Sequence, residues 1–198
     1  MNIGTSLTIQ QSLDFGALKE AIYQAYARCE SMRLRFTQDE DGKVYQYIAD
    51  REVRDIAFFD FTGWQECHAA DKMKEWTSVP FERFDSPLNR VVMIITPDGF
   101  QGIYLLVDHM TMDAQSLILF LKDVIEIYAN MKYEGMEYPK EMKSYIEQLK
   151  KDLEYEMDSK AKKRDTEFFG EDDRLLGTYF QQHFRSGQTG GRTGKGKE

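Results

Sequence analysis

Imidazole exchanges its proton near neutral pH more readily than any other side chain, and this chain carries it at three positions. One of them, His109, lies in the run Val107-Asp108-His109-Met110-Thr111-Met112-Asp113-Ala114. An apolar strand pattern ends there and an apolar helix pattern begins. Such a junction projects side chains from a rigid element towards a cleft, with helix amides nearby to favour negative charge. The chemistry that fits is general-base proton transfer by His109. Asp113 has two readings from its position: the N-cap of the following helix, or the counter-charge of a buried cation. A His with an Asp four residues on is a common spacing. The residues alone therefore leave open whether His109 is a base or a satisfied, partly buried side chain.

The elements that must position this run follow from hydrophobic period. Ser6 to Gln10 alternates polar and apolar, as a half-buried strand does. Asp14 is placed to cap a helix whose apolar positions Leu18, Ile22, Ala25 and Cys29 recur on one face. Strands are expected at Leu34 to Thr37, Val44 to Ile48 and Ile56 to Phe59. A helix is expected at Trp64 to Trp76, stopped by Pro80. Val91 to Thr96 and Phe100 to Val107 flank Thr96-Pro97-Asp98-Gly99, a hairpin turn in which proline presets one dihedral and glycine relaxes the exit. From Asp113 the pattern is apolar on most sides of a helix, which reads as a buried one over about 113–131. A charged helix with one apolar stripe (Met142, Tyr145, Ile146, Leu149, Leu153, Met157) is expected at about 139–164, docked at the surface. Ser186 to Glu198 is glycine-rich without an apolar residue and is expected to be disordered. Strands and helices interleave without a strict βαβ rhythm, so the fold class is α+β, a mixed sheet with packed helices.

Composition narrows the function. The chain has 198 residues, 41% of them apolar and 13% aromatic, which is ample for a core. Its net charge of −8 opposes binding to nucleic acid or an anionic membrane. No stretch is apolar enough to span a bilayer, and the first residues lack a signal-peptide pattern. Cys29 and Cys67 have neither disulfide-framework nor metal-ligand spacing, so both read as reduced, partly buried side chains, and the expected location is the cytoplasm. Cys67-His68 with Asp71 lies on an ordinary helix and is not expected to hold a metal; no metal or directly bound cofactor is expected elsewhere. Lys160 to Arg164 reads as a solvated helix end, and His183 carries no signal.

Arg28-Cys29-Glu30-Ser31-Met32-Arg33-Leu34-Arg35-Phe36 resembles the R-H-E-x-L-R-x-x-F segment of the condensation domains of nonribosomal peptide synthetases. The 107–114 run is similar to the H-H-x-x-x-D-G motif of the same family. Pro80-Phe81, Ser86-Pro87-Leu88-Asn89-Arg90 and Asp165-x-x-Phe168-Phe169 match in order and spacing. The resemblance implies one lobe of the family's chloramphenicol-acetyltransferase-like sandwich over residues 1–170, with 171–198 an irregular tail. It implies amide or ester formation from an acyl or aminoacyl thioester carried on the phosphopantetheine arm of a carrier protein, in a tunnel between two lobes. It gives His109 the place of the motif's second histidine, as base or positioner of the nucleophile. It makes Asp113 the structural aspartate and Arg33 its partner, an ion pair expected to be shielded from water.

The departures from the family pattern are Asp108 for the first histidine, Ala114 for the glycine and Cys29 for the earlier histidine. No second lobe follows the Asp165-x-x-Phe-Phe segment. The resemblance therefore implies a lobe that is inactive, or nearly so, alone. Its expected partners are carrier proteins and a second lobe or another copy of itself. Two other readings stand beside it. One is a non-catalytic module that docks carriers or a partner lobe. The other is a self-assembling acetyltransferase of the chloramphenicol type, whose histidine motif comes near the chain end rather than at residue 109.

Overall fold

The computed structural model describes residues 2–50 and 54–157. The chain divides into two compact units, Met1–Tyr145 and Ile146–Glu198. In the first unit, β1 (Asn2–Ile9) leads to α1 (Phe15–Arg28) and a short 3-10 turn, Glu30–Arg33. Then follow β2 (Leu34–Gln38), β3 (Val44–Ile48), β4 (Ala57–Asp60), α2 (Glu66–Ser78), β5 (Asn89–Ile95), β6 (Gln101–Asp108) and α3 (Ala114–Lys132). The main sheet has the order β1-β6-β5-β4; β4 and β5 run parallel and the other pairs are antiparallel. β2 and β3 form a separate antiparallel ribbon. The mixed sheet with packed helices is the α+β architecture expected.

The unbroken apolar runs of β5 and β6 follow from burial on both faces. Val91, Met93, Ile103, Leu105 and Val107 face α1 and α3, where they meet Ile22, Ala25, Phe120 and Val124. Val92, Ile94, Tyr104 and Leu106 point the other way, onto Phe61 and Ala69 of the α2 layer. Gly99 closes the β5–β6 hairpin at φ 85°, its N–H donating to Thr96 O at 2.9 Å. Gly102 on β6 lies so close to β1 that a Cβ there would fall 1.9 Å from Leu7 O.

Three expectations need correction. α3 is not buried all round: Ile118 is 66% exposed and Leu119 and Ile125 also face outward, while Phe120 is fully buried. The helix carries its apolar residues on more than the inward stripe. The last described helix, α4, spans Tyr145–Met157; 139–144 is not helical, and the carbonyls of Pro139 and Lys140 accept from the Arg28 guanidinium instead. Cys67 is exposed and only Cys29 is buried. The stretch expected to continue this helix towards residue 164, the basic cluster Lys160 to Arg164, the Asp165-x-x-Phe-Phe segment, His183 and the glycine-rich tail lie outside the described residues. Among the described residues no helix is long and apolar enough to cross a membrane.

Candidate active site

β6 ends in a tight turn that presents His109. The Asp108 N–H donates to Leu88 O at 2.8 Å, which anchors the strand end. Asp108 then organises the turn from both its oxygens' positions. Its carbonyl accepts from Thr111 N–H at 3.0 Å and from Thr111 Oγ1 at 2.9 Å, and its carboxylate accepts from Met110 N–H at 2.9 Å. A carboxylate holding a main-chain N–H two residues on is a turn former. Met112 is buried and pins the far side of the loop. His109 and Met110 stand at its exposed tip.

Asp113 is the N-cap of α3. Its Oδ1 accepts from Ser116 N–H at 2.8 Å, and Leu117 N–H donates to its carbonyl at 3.0 Å. That hydrogen bond to Ser116 is the main cause that holds its carboxyl below the ordinary range, with a smaller contribution from the nearby His109. His109 therefore sits between two carboxylates whose oxygens are engaged by main-chain donors.

Arg33 is not brought to Asp113. Its guanidinium donates to four main-chain carbonyls: Tyr26 O at 3.1 Å, Ala27 O at 3.2 Å, Ala49 O at 2.5 Å and Asp50 O at 3.3 Å. Tyr26 and Ala27 lie in the last turn of α1, where carbonyls lack intrahelical partners. Arg33 thus closes the end of α1 and fastens it to the end of β3, while Asp113 is exposed. The expected pair is replaced by two separate capping devices.

A largely buried ion pair lies elsewhere in this lobe. Arg28 donates from Nε to Asp123 Oδ2 at 2.9 Å and from Nη2 to Asp123 Oδ1 at 3.2 Å. Only 16% and 5% of the two side chains is exposed. A second network surrounds buried Asn89 at the start of β5. Asn89 Oδ1 accepts from Tyr26 Oη at 2.8 Å and from Arg54, and its Nδ2 donates to Met32 O at 2.7 Å. Sequence reasoning gave neither Asp123 nor Asn89 a role. The readable signal for Asp123 was a short carboxylate within the largely apolar stretch 117–128, where the other acid, Glu126, has Lys122 four residues before it.

Among the described residues no group of His, Cys, Asp and Glu is arranged to hold a metal, and Cys67-His68 with Asp71 forms no such cluster.

Residues 1–169 match the family model described as Condensation domain. The chain is 31% identical over 129 residues to the dimodular nonribosomal peptide synthase of Bacillus subtilis (strain 168), which covers 65% of this chain and 5% of that protein. It is 26% identical over 129 residues to surfactin synthase subunit 1 of the same organism, covering 63% of this chain and 4% of that protein. Among solved structures, the first condensation domain of the calcium-dependent antibiotic synthetase, in complex with a substrate analogue, superposes with a TM-score of 0.71 at 20% identity, over 83% of this chain and 41% of that one. The starter condensation domain of rhizomide synthetase gives 0.68 at 20% identity, over 80% and 38%. The chain spans about two fifths of these solved structures and a small part of the curated relatives. By its family match over residues 1–169 and by its fold, the chain belongs to the condensation domains of nonribosomal peptide synthetases.

Proposed function

We propose that this chain is one lobe of a condensation-type acyltransferase, working in the cytoplasm on thioesters carried by the phosphopantetheine arms of carrier proteins. The observation that carries this reading is the exposed His109, held between β6 and α3 on a turn fixed by Asp108 and Asp113. In the proposed reaction an acceptor amine attacks the thioester carbonyl, the new C–N bond forms and the C–S bond breaks. His109 takes the proton of the amine and returns it to the departing sulfur, so the imidazole ends as it began. With a hydroxyl acceptor the same steps give an ester.

Asp108 and Asp113 act as positioning residues: the first holds Met110 N–H beside His109, and the second caps the start of α3 through Ser116 N–H. Arg33 supports them only at a distance, by closing α1.

A single lobe supplies one wall around His109. Alignment of two substrates contributes about 7–11 kcal/mol in well-oriented reactions, and exclusion of water prevents hydrolysis of the thioester. The lobe alone is therefore inactive, or nearly so, and is completed by a second lobe or by another copy of itself.

The test is a condensation assay with loaded carrier proteins. It compares the chain alone, the chain with a second condensation lobe added, and the latter with His109→Ala. Turnover is expected only when the lobes are combined, and loss of His109 is expected to lower it by about 10²–10⁴-fold. Specific carrier binding with no turnover in any combination favours the docking-module reading. Robust turnover by the unaccompanied chain, unaffected by His109→Ala, overturns the proposal.

A further inference from the structure

The two edges of the main sheet differ. β4 has four residues and ends in a charge, Asp60. β1 has eight, Asn-Ile-Gly-Thr-Ser-Leu-Thr-Ile, with no charge and no proline. Among the described residues β1 pairs with β6 alone. In an antiparallel pair, alternate residues direct both N–H and C=O away from the partner strand, so the outer side of β1 presents a row of main-chain donors and acceptors. Exposed edges of this length are ordinarily blunted by lysine, proline or a bulge, because they template further pairing. β1 carries no lysine or proline.

A groove runs beside this edge. Gly4, Thr5 and Ser6 form one wall and Met73, Lys74 and Thr77 of α2 the other, around a space of about 520 Å³. The side chains of Asn2 and the face of Gly4 turn towards α2: Asn2 Nδ2 donates to Thr77 O at 3.0 Å, and a Cβ on Gly4 would meet Tyr104 Oη at 2.3 Å. Ile3 and Leu7 turn the opposite way, into the α1–α3 core. Thr5 belongs by alternation to that second face, so its place in the lining brings the groove to the strand's edge. Lys74 is the one charged side chain of the lining. It is exposed and makes no ion pair among the described residues, whereas its neighbour Lys72 is paired with Glu75.

We propose that the edge of β1 and the flank of α2 form a docking site for an extended segment of a partner polypeptide, added as a further strand and carrying a carboxylate to Lys74. The main-chain row of β1 supplies affinity. The unpaired ammonium, in a lining without a carboxylate, selects an acidic side chain. The site lies on the α2 side of the sheet and does not depend on the role assigned to His109.

The experiment uses the full chain and three peptides: acetyl-Thr-Val-Thr-Val-Glu-Val-Thr-Val amide, the same peptide with Lys for Glu, and the Glu peptide with alternate residues N-methylated. Binding is read by fluorescence anisotropy and by hydrogen exchange of the β1 amides. The Glu peptide is expected to bind and slow exchange across β1, the N-methylated one not to bind, and the Lys peptide to bind at least about tenfold more weakly. Lys74→Glu is expected to invert the preference for Glu over Lys, and Lys74→Ala to remove it; circular dichroism checks that both remain folded. Equal binding of the N-methylated peptide, unchanged β1 exchange, or a preference indifferent to Lys74 overturns the proposal. Self-association that protects β1 in the absence of peptide also overturns it, by making a second copy of the chain the occupant.

Discussion

The Arg28 guanidinium grips both oxygens of Asp123, at 2.9 and 3.2 Å, and so joins the last turn of α1 to the middle of α3. The same guanidinium donates to Pro139 O at 3.1 Å and to Lys140 O, and lies 5.0 Å from the Tyr138 ring centroid. One side chain thereby holds the segment that follows α3 against the helix pair whose second member begins beside His109. The two partners are not equally replaceable. Asp123→Ala leaves Arg28 with two carbonyls and a ring, whereas Arg28→Ala leaves a buried carboxylate without its cation. Breaking a buried pair costs about 3–5 kcal/mol. Arg28→Ala is expected at the upper end and Asp123→Ala at the lower, with the double variant costing less than the sum. Urea denaturation of the four proteins measures this, and additive losses contradict it.

Gly102 makes a second, sharper demand on the sheet. Any Cβ there collides with main-chain atoms of Leu7 and Thr8, which cannot swing aside as a side-chain tip can. Gly102→Ala is expected to cost at least about 1–3 kcal/mol, by parting β1 from β6. Gly63 is the control: its φ is 82° and nothing lies within 4 Å, so Gly63→Ala carries only the backbone penalty of about 1–2 kcal/mol. The distinguishing readout is hydrogen exchange in β1, which Gly102→Ala accelerates and Gly63→Ala leaves unchanged.

Much of the fold was legible because its signals are local. Asp14 caps α1 through Ala17 N–H, and the Pro97-Asp98-Gly99 turn closes the hairpin. β5 and β6 read as strands because each buries both faces. At the candidate site, the strand-to-helix junction and the capping reading of Asp113 were legible for the same reason. The partners of Arg33 were not. They are main-chain carbonyls, which every residue owns, so no spacing of residue types points to them. Arg28–Asp123 is a contact across 95 residues and depends on how two helices cross. Which apolar residues of α3 face outward likewise depends on what covers the helix, not on its own period.

The caps also set a pH dependence. The hydrogen bond from Ala17 N–H, followed by Lys132, lowers the carboxyl of Asp14; the bond from Ser116 N–H lowers that of Asp113. Between the lowered folded values and the ordinary one, the unfolded chain binds more protons at these groups than the folded one. Their contribution is therefore complete above about pH 4 and is lost as pH falls through the lower folded values. Asp14→Asn combined with Asp113→Asn keeps a capping oxygen at both sites without a titrating group. The variant is expected to be less stable than the parent near neutrality, by the contribution of the two charged caps, and to converge with it in acid, so that its urea midpoint falls less steeply. Parallel acid limbs would contradict the assignment.

α3 offers a direct test of its two sides. Phe120 is fully buried and Ile118 is 66% exposed. Phe120→Ala is expected to cost about 3–5 kcal/mol, through lost burial and a cavity beneath Tyr26, whose ring centroid is 5.6 Å away. Ile118→Lys is expected to stay within about 0.5 kcal/mol of the parent. Denaturant unfolding separates the two, and a large loss from Ile118→Lys would return α3 to a helix buried on every side.

Cys29 stands where the related family carries histidine, and its chemistry is decided by burial. The residue is the C-cap of α1, 8% exposed, with its N–H donating to Ala25 O at 3.0 Å. Burial pushes its thiol upward, and the main-chain N–H groups of Met32 and Ser31 oppose this only in part. The thiolate is the reactive form, so Cys29 is expected to be inert in the folded protein. Cys67 lies exposed on α2 and is expected to react freely. Ellman's reagent at about pH 8 should therefore titrate one thiol rapidly and the second only as fast as the chain opens. Cys67→Ser should remove the fast phase alone, and urea should merge the two. Equal rates for both thiols in the folded chain would show that the end of α1 opens readily, and would remove the case for Cys29 as a core residue in the family's histidine position.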